Sequence, residues 1–389
     1  MIPLFKVNMN KDVINQLNVV LNSGFISQGK KVEEFENKLK KIFKFPYILS
    51  VNSATSAMTL ALRIINDEFN NSTNNEVISV PLTCMATNLP ILANNMKIKW
   101  ADIDPSNGLI SLDDVSKKIN SKTKAISFVH WGGYPVDVVK FNKILNLKKK
   151  KLGFKPYIIE DCAHAFLSKL DGKLIGTHGN FAIFSMQAIK QLTTGDGGLL
   201  FCPNKRTYKK AKLLRWFGID REVNLIKSDK KSNFRKIDSR LENDVKDWGY
   251  KFHMNDINAT IGISNLKNIN KIIEKNKKNA KFLFDNLKNI NGLYCINPIS
   301  SKYESSYWLF TLRVKNKNKF IKHMTKSKIN VSQVHKRNDT HTCFKSFRSY
   351  LPNLDKIEKE LVCIPCGWWL DKNDLKYIIN EIKDFFKIK

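Results

Sequence analysis

The chain of 389 residues lacks any long uninterrupted apolar segment, and it is poor in arginine and in regularly spaced cysteines. No apolar run approaches the roughly 20 residues that a membrane-spanning helix needs. The first residues also lack a charged region followed by an apolar one, so a secretory signal is not predicted. We therefore expect a cytoplasmic protein without a membrane partner.

Arginine supplies only nine of the 66 basic residues, although the formal net charge is +31. Arginine is the residue best suited to bidentate contacts with phosphates and bases. The lysines are spread over the whole chain instead of gathering in one patch. This pattern does not favour a nucleic-acid partner, although the positive charge is suited to steering an anionic substrate.

The seven cysteines are odd in number and scattered, which argues against a disulfide framework. Cys363 and Cys366 form a single C-x-x-C pair, and a zinc site would need two more ligands. A strand end followed by a proline turn explains the pair more simply, so we predict no metal site. No G-x-G-x-x-G segment follows a predicted strand, and a dinucleotide site is therefore not supported.

Short β-rich apolar segments alternate with amphipathic segments through the first 200 residues. This alternation predicts right-handed βαβ units and an α/β fold, with a mostly parallel central sheet covered by helices on both faces. The length suggests two domains. We place a large domain at residues 1–250 and a smaller α+β domain at 251–389, and we predict a long functional loop or interdomain connection at 219–247.

Polar side chains follow two predicted buried strands at residues 157–159 and 181–184. Asp161 ends the first, Ser185 ends the second, and Lys190 comes five residues later. In a parallel sheet these groups would meet at the carboxyl edge, where open α/β folds bind ligands. A carboxylate, a hydroxyl and a lysine suit a cofactor that carries a cationic nitrogen, a phosphate and an aldehyde, and pyridoxal phosphate carries all three.

A second stretch has the features of an anion site. Asn52 and Ser53 are predicted to cap a helix, and the first N–H groups of a helix attract phosphate. Ser53, Ala54 and Thr55 stand where those groups would be. From this stretch alone, an ordinary capped helix is an equally good interpretation.

Several motifs in a fixed order carry a family resemblance. They are SQGKKVEEFE, VNSATSAM, P-x-T-x-x-A-T-N from Pro81, ADIDP, the G-x-P-x-D of residues 133–137, EDCAHA, FSMQAIKQLTTGDGG and GYKFHM. In these motifs the chain resembles the DegT/DnrJ/EryC1/StrS family of sugar aminotransferases. That resemblance implies a fold-type I enzyme that uses pyridoxal phosphate to aminate keto-sugar nucleotides.

Carried over by position, the resemblance makes Lys190 the Schiff-base lysine and Asp161 the partner of the pyridine nitrogen. His164 would lie beside the ring hydroxyl, with a satisfied core histidine as the alternative. Ser185 would bind the phosphate together with residues 53–55. A branch of the family that carries histidine in place of this lysine performs dehydration, and Lys190 argues against that branch.

The chain departs from the family pattern at several of these positions. Cys84 stands where an aromatic residue usually stacks on the cofactor ring. Lys251 replaces an asparagine that reaches the cofactor phosphate of the neighbouring subunit, so a homodimer with shared active sites is expected. His253 replaces an arginine, which leaves the recognition of a donor carboxylate or a substrate phosphate open. Ala54 replaces a glycine but keeps its N–H donor.

Two further stretches are candidates for substrate contact. Trp131 and Tyr134 follow a predicted strand and would face the same sheet edge, although both are equally suited to packing. His335 and Arg337 lie in a polar loop where a sugar nucleotide could bind, or which could simply be solvated.

The resemblance implies amino transfer from glutamate to a nucleotide-linked keto sugar, most simply a 4-keto-6-deoxyhexose, with 2-oxoglutarate released. The alternatives are an aminotransferase for another ketone, such as an inositol ketone or a small phosphorylated ketone, and a non-enzymatic basic nucleic-acid-binding or regulatory protein.

Overall fold

The computed structural model describes residues 1–220 and 245–387, so the predicted loop at 219–247 lies largely outside the described residues. The helices are α1 Val13–Asn22, α2 Lys30–Phe43, α3 Ala54–Glu68, α4 Met85–Ala93, α5 Leu112–Lys118, α6 Val138–Leu152, α7 Lys205–Arg215, α8 Asp256–Leu266, α9 Ile269–Leu287, α10 Lys317–Lys326, α11 Pro352–Glu358 and α12 Lys372–Lys387. The strands are β1 Ile48–Val51, β2 Glu76–Ser79, β3 Lys97–Trp100, β4 Thr123–Val129, β5 Tyr157–Asp161, β6 Lys169–Leu170, β7 Lys173–Leu174, β8 Phe181–Ser185, β9 Gly198–Phe201, β10 Leu293–Cys295, β11 Tyr303–Glu304, β12 Phe310–Val314 and β13 Leu361–Ile364.

Seven strands form the central sheet in the order β1-β9-β8-β5-β4-β2-β3. All neighbouring pairs are parallel except the two that involve β9, which runs against both β1 and β8. The side chains of β1, β8 and β9 are almost entirely buried, as strands covered on both faces require. The prediction of an α/β fold with a mostly parallel sheet is confirmed.

The parallel order of strands sets the position of the helix starts. Each βα connection leaves the sheet at its carboxyl edge, so the N-termini of α3, α4 and α6 follow β1, β2 and β4 there. Ser53 and Asp137 cap α3 and α6 by accepting hydrogen bonds from the main-chain N–H groups of Ser56 and Lys140. Three helix starts thereby come to the edge at which Asp161 and Ser185 end their strands.

The C-terminal part of the chain adds a smaller antiparallel sheet in the order β10-β12-β13. It has a hydrophobic core of its own, built from residues such as Leu283, Phe320 and Ile378. Phe344 and Leu351 instead belong to the core of the large sheet, so side chains beyond residue 251 contribute to both cores. The domain division at residue 250 stays a prediction.

Residues 256–287 form two helices, α8 and α9, which are separated at residues 267 and 268. Ser332 forms an isolated bridge with Cys363, and Val334 has a φ of 70°. In the part of the chain that the structure describes, no helix is both long and apolar enough to span a bilayer.

Candidate active site

The carboxyl edge of the central sheet aligns the predicted site residues in one row. Asp161 at the end of β5 pairs with Ile183 of β8, two residues before Ser185. Ser185 in turn pairs with Gly198 of β9, and Gly198 pairs with Val51 at the end of β1. The groups that end β5, β8 and β1 therefore lie side by side, as the parallel sheet predicts.

Asp161 is a buried carboxylate with two hydrogen-bond donors. The hydroxyl of Thr87 in α4 donates to Oδ2 at 2.6 Å, and the main-chain N–H of Ala163 donates to Oδ1 at 3.0 Å. Burial raises the pKa of Asp161 above its ordinary value, whereas these hydrogen bonds and the charge of Lys190 oppose that rise. Thr87 was not predicted as a site residue, although it stands inside the P-x-T-x-x-A-T-N motif.

Lys190 follows β8 in a tight turn, in which its main-chain N–H donates to the carbonyl of Gln187. Burial lowers the pKa of Lys190 to about 8, while the nearby Asp161 and Cys84 oppose the shift. Its ammonium lies 3.6 Å from the ring centroid of Trp308, over the indole face. This lysine is therefore a partly neutral amine within electrostatic range of Asp161, which suits a nucleophile.

Trp308 is a site residue that the motifs did not reveal. It lies just before β12, and its indole N–H donates to the carbonyl of Ile189 at 2.9 Å. The ring of His164 stacks against it with a centroid distance of 3.9 Å. Trp308 therefore contacts both Lys190 and His164, although more than a hundred residues separate it from them in the sequence.

Two of the predicted residues, Trp131 and His335, lie around His164. The ring centroids of Trp131 and His335 lie 5.8 Å and 5.8 Å from that of His164. Burial lowers the pKa of His335 to about 4, and it lowers the pKa of His164 well below the usual range, with the charge of Lys190 adding to both shifts. Both imidazoles are therefore neutral at physiological pH. Within the described residues, Nδ1 of His164 and Nε2 of His335 have no hydrogen-bond partner.

The start of α3 lies at the same edge of the sheet and is the candidate phosphate site. The first N–H groups of a helix have no partner within the helix itself, and Ser53, Ala54 and Thr55 stand at this start and are partly or fully exposed. A Cβ atom on Gly198 would lie 2.4 Å from the main-chain carbon of Ser53. Glycine at this position therefore lets β9 approach the helix start closely enough to bring Ser185 to it.

Cys84 lies at the N-cap position of α4 and is half-buried. A negative charge on the thiol of Cys84 would raise the pKa of Lys190, so the thiol lies near the amine. Lys251 and His253 run beside β1, where His253 forms a bridge with Val51 and Lys251 forms one with Trp216. Lys251 is exposed, as a residue that reaches a neighbouring subunit would need to be.

Two of the predicted substrate residues make other contacts. Tyr134 stacks on Tyr303 and lines a separate cavity of about 480 Å³ that does not include Lys190. Arg337 is buried in ion pairs with Asp339, Asp355 and Glu358. Because these carboxylates occupy its guanidinium group, the geometry gives a substrate contact by Arg337 no support.

A buried cluster of His130, Glu160 and Cys162 has the residue types of a metal site. The main-chain N–H of Val136 donates to Nδ1 of His130, so the proton of this imidazole is on Nε2, which faces Glu160 at 3.2 Å. Burial would raise the pKa of Glu160, but the hydrogen bonds from His130 and Asn180 outweigh it and hold the pKa below its ordinary value. The cluster is therefore a hydrogen-bonded network that supports the strand carrying Asp161.

The sheet order and the lysine at its edge place the chain in the class of fold-type I aminotransferases. The solved sugar aminotransferase CalS13 from Micromonospora echinospora superposes with a TM-score of 0.92 and 36% identity, over 99% of this chain and 100% of that one. The GDP-perosamine synthase of Escherichia coli O157:H7 is 26% identical over 100% of this chain and 99% of its own length. A UDP-4-amino-4,6-dideoxy-N-acetyl-beta-L-altrosamine transaminase of Campylobacter jejuni is 26% identical over 96% and 95% of the two chains.

The model of the DegT/DnrJ/EryC1/StrS aminotransferase family matches residues 7–383, and the chain belongs to this family. The predicted family and the predicted enzyme class are both confirmed. The roles assigned to individual site residues stay predictions, which the geometry above now makes testable.

Proposed function

We propose that this aminotransferase uses pyridoxal phosphate to transfer an amino group from L-glutamate to a nucleotide-linked keto sugar, releasing 2-oxoglutarate. The observation that carries the proposal is the amine of Lys190 within range of the buried carboxylate of Asp161 at the carboxyl edge of the sheet. The relatives named above as a perosamine synthase and an altrosamine transaminase support the substrate class. Our preferred acceptor is a 4-keto-6-deoxyhexose, and the product would be an amino sugar for glycan synthesis.

The residues at this edge fit pyridoxal phosphate. Asp161 offers a carboxylate to the pyridine nitrogen, and the first N–H groups of α3 offer donors to the phosphate. Nδ1 of the buried His164, which has no partner among the residues that the structure describes, is suited to a hydrogen bond with a ring hydroxyl. When bound, the cofactor withdraws electrons from the carbon atom that loses a proton.

Lys190 would supply the amine that holds the cofactor and, once released, the base that moves the proton. A lysine with its ordinary pKa of 10.5 is almost wholly protonated at neutral pH, whereas a pKa of about 8 leaves a useful fraction of neutral amine. The neutral form attacks a carbonyl carbon, and after it is displaced it can accept and return a proton. With the cofactor bound, the carboxylate of Asp161 would stabilise the positive charge of the ring nitrogen.

We further propose that the chain forms a homodimer. Lys251 is exposed beside β1, and a subunit that covers this edge would place its own lysine at the neighbouring phosphate. Large apolar side chains at α1 and just after it, Ile14, Val19 and Phe25, are more than 60% exposed. Exposed apolar side chains in such numbers on one segment are typical of a surface that another chain covers.

The first experiment uses the purified protein and its Lys190→Ala variant. The wild-type protein should be yellow with bound cofactor, and the variant should lose that visible absorbance while it keeps its fold by circular dichroism. A colourless wild-type protein that takes up no added cofactor would contradict the proposal.

The second experiment defines the acceptor. GDP-, UDP- and dTDP-linked 4-keto-6-deoxyhexoses, an inositol ketone and a small phosphorylated ketone are each incubated with enzyme and glutamate, and the aminated product is measured by mass spectrometry. Product from a nucleotide sugar supports the proposal. Product from the inositol or the small phosphorylated ketone alone would replace it with the corresponding aminotransferase activity.

A further inference from the structure

Trp308 contacts the segment of Lys190 at two points, one on the side chain and one on the main chain. The ammonium of Lys190 lies 3.6 Å from the centroid of the indole, over its face. The indole N–H donates to the carbonyl of Ile189, the residue just before Lys190, at 2.9 Å. The ring is therefore bonded to the same turn whose lysine places its amine on the ring, and this bond fixes the ring relative to the lysine.

The other neighbours of Trp308 hold the indole in one orientation. Phe5 stacks on it with a centroid distance of 4.8 Å, and His164 stacks on it at 3.9 Å. Lys6, beside Phe5, places its ammonium near a different ring, that of Trp368, at 5.9 Å from the centroid. Only 5% of Trp308 is exposed. A ring that is packed and bonded in this way has little freedom to turn, so it offers the amine of the neighbouring lysine a fixed surface.

The face of an indole attracts a cation. Its π-system is electron-rich on both faces, and an ammonium is stabilised more over tryptophan than over the other aromatic side chains, most of all where water is excluded. Burial acts in the opposite direction on Lys190 and lowers its pKa to about 8. Trp308 therefore compensates for part of the solvation that the buried ammonium loses.

The other titratable groups that face Lys190 belong to three segments. The carboxylate of Asp161 at the end of β5 and, when ionised, the thiol of Cys84 before α4 favour the charged form of the lysine. Burial lowers the pKa of His164 and of His335, so both imidazoles are neutral at physiological pH. With the cofactor bound, Asp161 would be paired with the ring nitrogen. The indole face is then the neighbour best placed to hold the charge of a free Lys190.

We infer that Trp308 is the platform on which the amine of Lys190 rests as an ammonium whenever it is not joined to the cofactor, so that the proton it carries stays beside the substrate until it is returned. This inference rests on the proposed function, in which the same amine alternates between a joined and a free state. It adds to the site a residue that touches the reacting nitrogen and holds its protonated form by a ring face.

Fluorinated tryptophans at position 308 test the charge of the ring face with little change in its shape. Mono-, di- and tetrafluorotryptophan are introduced there by suppression of a stop codon, because each fluorine withdraws negative charge from the face. The matched control places the same residues at Trp100, a buried indole that packs against Phe344. Three strands of the central sheet separate β3, which ends at Trp100, from β8. Circular dichroism and the melting temperature check the fold of every variant.

The first readout uses the cofactor-free protein and does not depend on activity. Acetylation of Lys190 by acetic anhydride is followed as a function of pH by peptide mass spectrometry, since only the neutral amine reacts. Successive fluorination of Trp308 should lower the apparent pKa of Lys190 by about 0.4–1.5 over the whole series, because the ammonium loses its attraction to the ring. The Trp100 series should leave the apparent pKa unchanged. A mere loss of packing that admitted water would raise it instead.

The second readout is the pH dependence of kcat for the cofactor-loaded enzyme with glutamate and the keto sugar that the wild type aminates. One limb of this profile should move toward lower pH in step with the labelling of Lys190, because the same amine must gain and lose a proton in each turnover. The profile of the Trp100 series should match that of the wild type.

The possible failures can be told apart. An apparent pKa of Lys190 that fluorination of Trp308 leaves unchanged or raises would overturn the platform, even if the wild-type enzyme is active. Labelling that shifts while the pH profile of kcat stays fixed would show a contact that the reaction does not use, and the inference would be rejected on that result too. A wild-type protein that takes up no cofactor would overturn the proposed function, and with it the part of Trp308 in the reaction, whatever the labelling shows.

Discussion

Replacing Thr87 by valine removes the hydroxyl that donates to Oδ2 of Asp161 at 2.6 Å, with little change in side-chain volume. A hydrogen bond to a charged group contributes about 1.5–3 kcal/mol, roughly twice the value for a neutral pair. The cofactor-free Thr87→Val protein should therefore lose about 1.5–3 kcal/mol of unfolding free energy at neutral pH. It should also bind pyridoxal phosphate more weakly, because a less stabilised carboxylate is a poorer partner for the ring nitrogen.

The sign of the pH dependence follows from the burial of Asp161. Because burial raises its pKa above the unfolded value of 3.8, its contribution to stability is fully present below pH 3.8 and is lost as pH rises through the folded pKa. Removing Thr87 raises the folded pKa further. The penalty of the valine variant should therefore be larger at neutral pH than at acid pH, where the carboxyl group is protonated.

Urea unfolding of the cofactor-free protein at neutral pH gives the free energies for a double-mutant cycle with Asp161→Asn. Thr87→Val should cost clearly less in the Asp161→Asn background, because only a neutral hydrogen bond is then lost. Thr83→Val is the matched control, since it removes a hydroxyl that contacts Thr87 and not Asp161. An equal cost of Thr87→Val in both backgrounds would refute the reasoning and leave the hydroxyl a packing role.

Three further predictions concern neighbouring groups. Labelling of Lys190 by an amine-reactive reagent in the cofactor-free protein, followed by peptide mass spectrometry, should increase with an apparent pKa of about 8, and a midpoint near 10.5 would contradict its burial. Gly198→Ala should lower the free energy of unfolding in urea by about 1–3 kcal/mol and weaken cofactor binding, because its Cβ would overlap the main chain of Ser53. An unchanged free energy and an unchanged cofactor affinity would show that β9 can move away. Glu160→Gln should lower the free energy of unfolding by about 1.5–3 kcal/mol at neutral pH, because the neutral glutamine makes a weaker hydrogen bond with His130. Since the folded pKa of Glu160 is lowered, that deficit should disappear as the pH falls through it, and a deficit independent of pH would argue for packing instead.

Local patterns in the sequence were sufficient to predict the central row of the site. Asp161 and Ser185 each end a short apolar strand, and the alternation of strands and helices before them predicts a mostly parallel sheet in which such strand ends meet at one edge. Their neighbourhood was therefore predictable without coordinates. The helix start at Ser53 was predictable for the same reason, because a cap followed by an apolar helix is a local signal.

Contacts between distant segments were not predictable in this way. Trp308 reaches Lys190 only because β12 and the turn after β8 meet across the fold, and nothing in the residues around Trp308 marks that meeting. Arg337 and Tyr134 carry suitable chemistry for a substrate. The ion pairs of Arg337 and the stacking of Tyr134 on Tyr303 are decided by neighbours that a linear reading does not identify.

The sequence by itself determined the class of sheet, the family and the groups at its carboxyl edge, since these depend on hydrophobic period, strand length and motifs that lie within short windows. The tertiary structure alone decided which side chains surround the reactive lysine. Burial beside Asp161, Cys84 and Trp308 sets the protonation of Lys190. Burial is a property of distance and solvent exclusion, which depends on how the chain packs and not on the order of its residues.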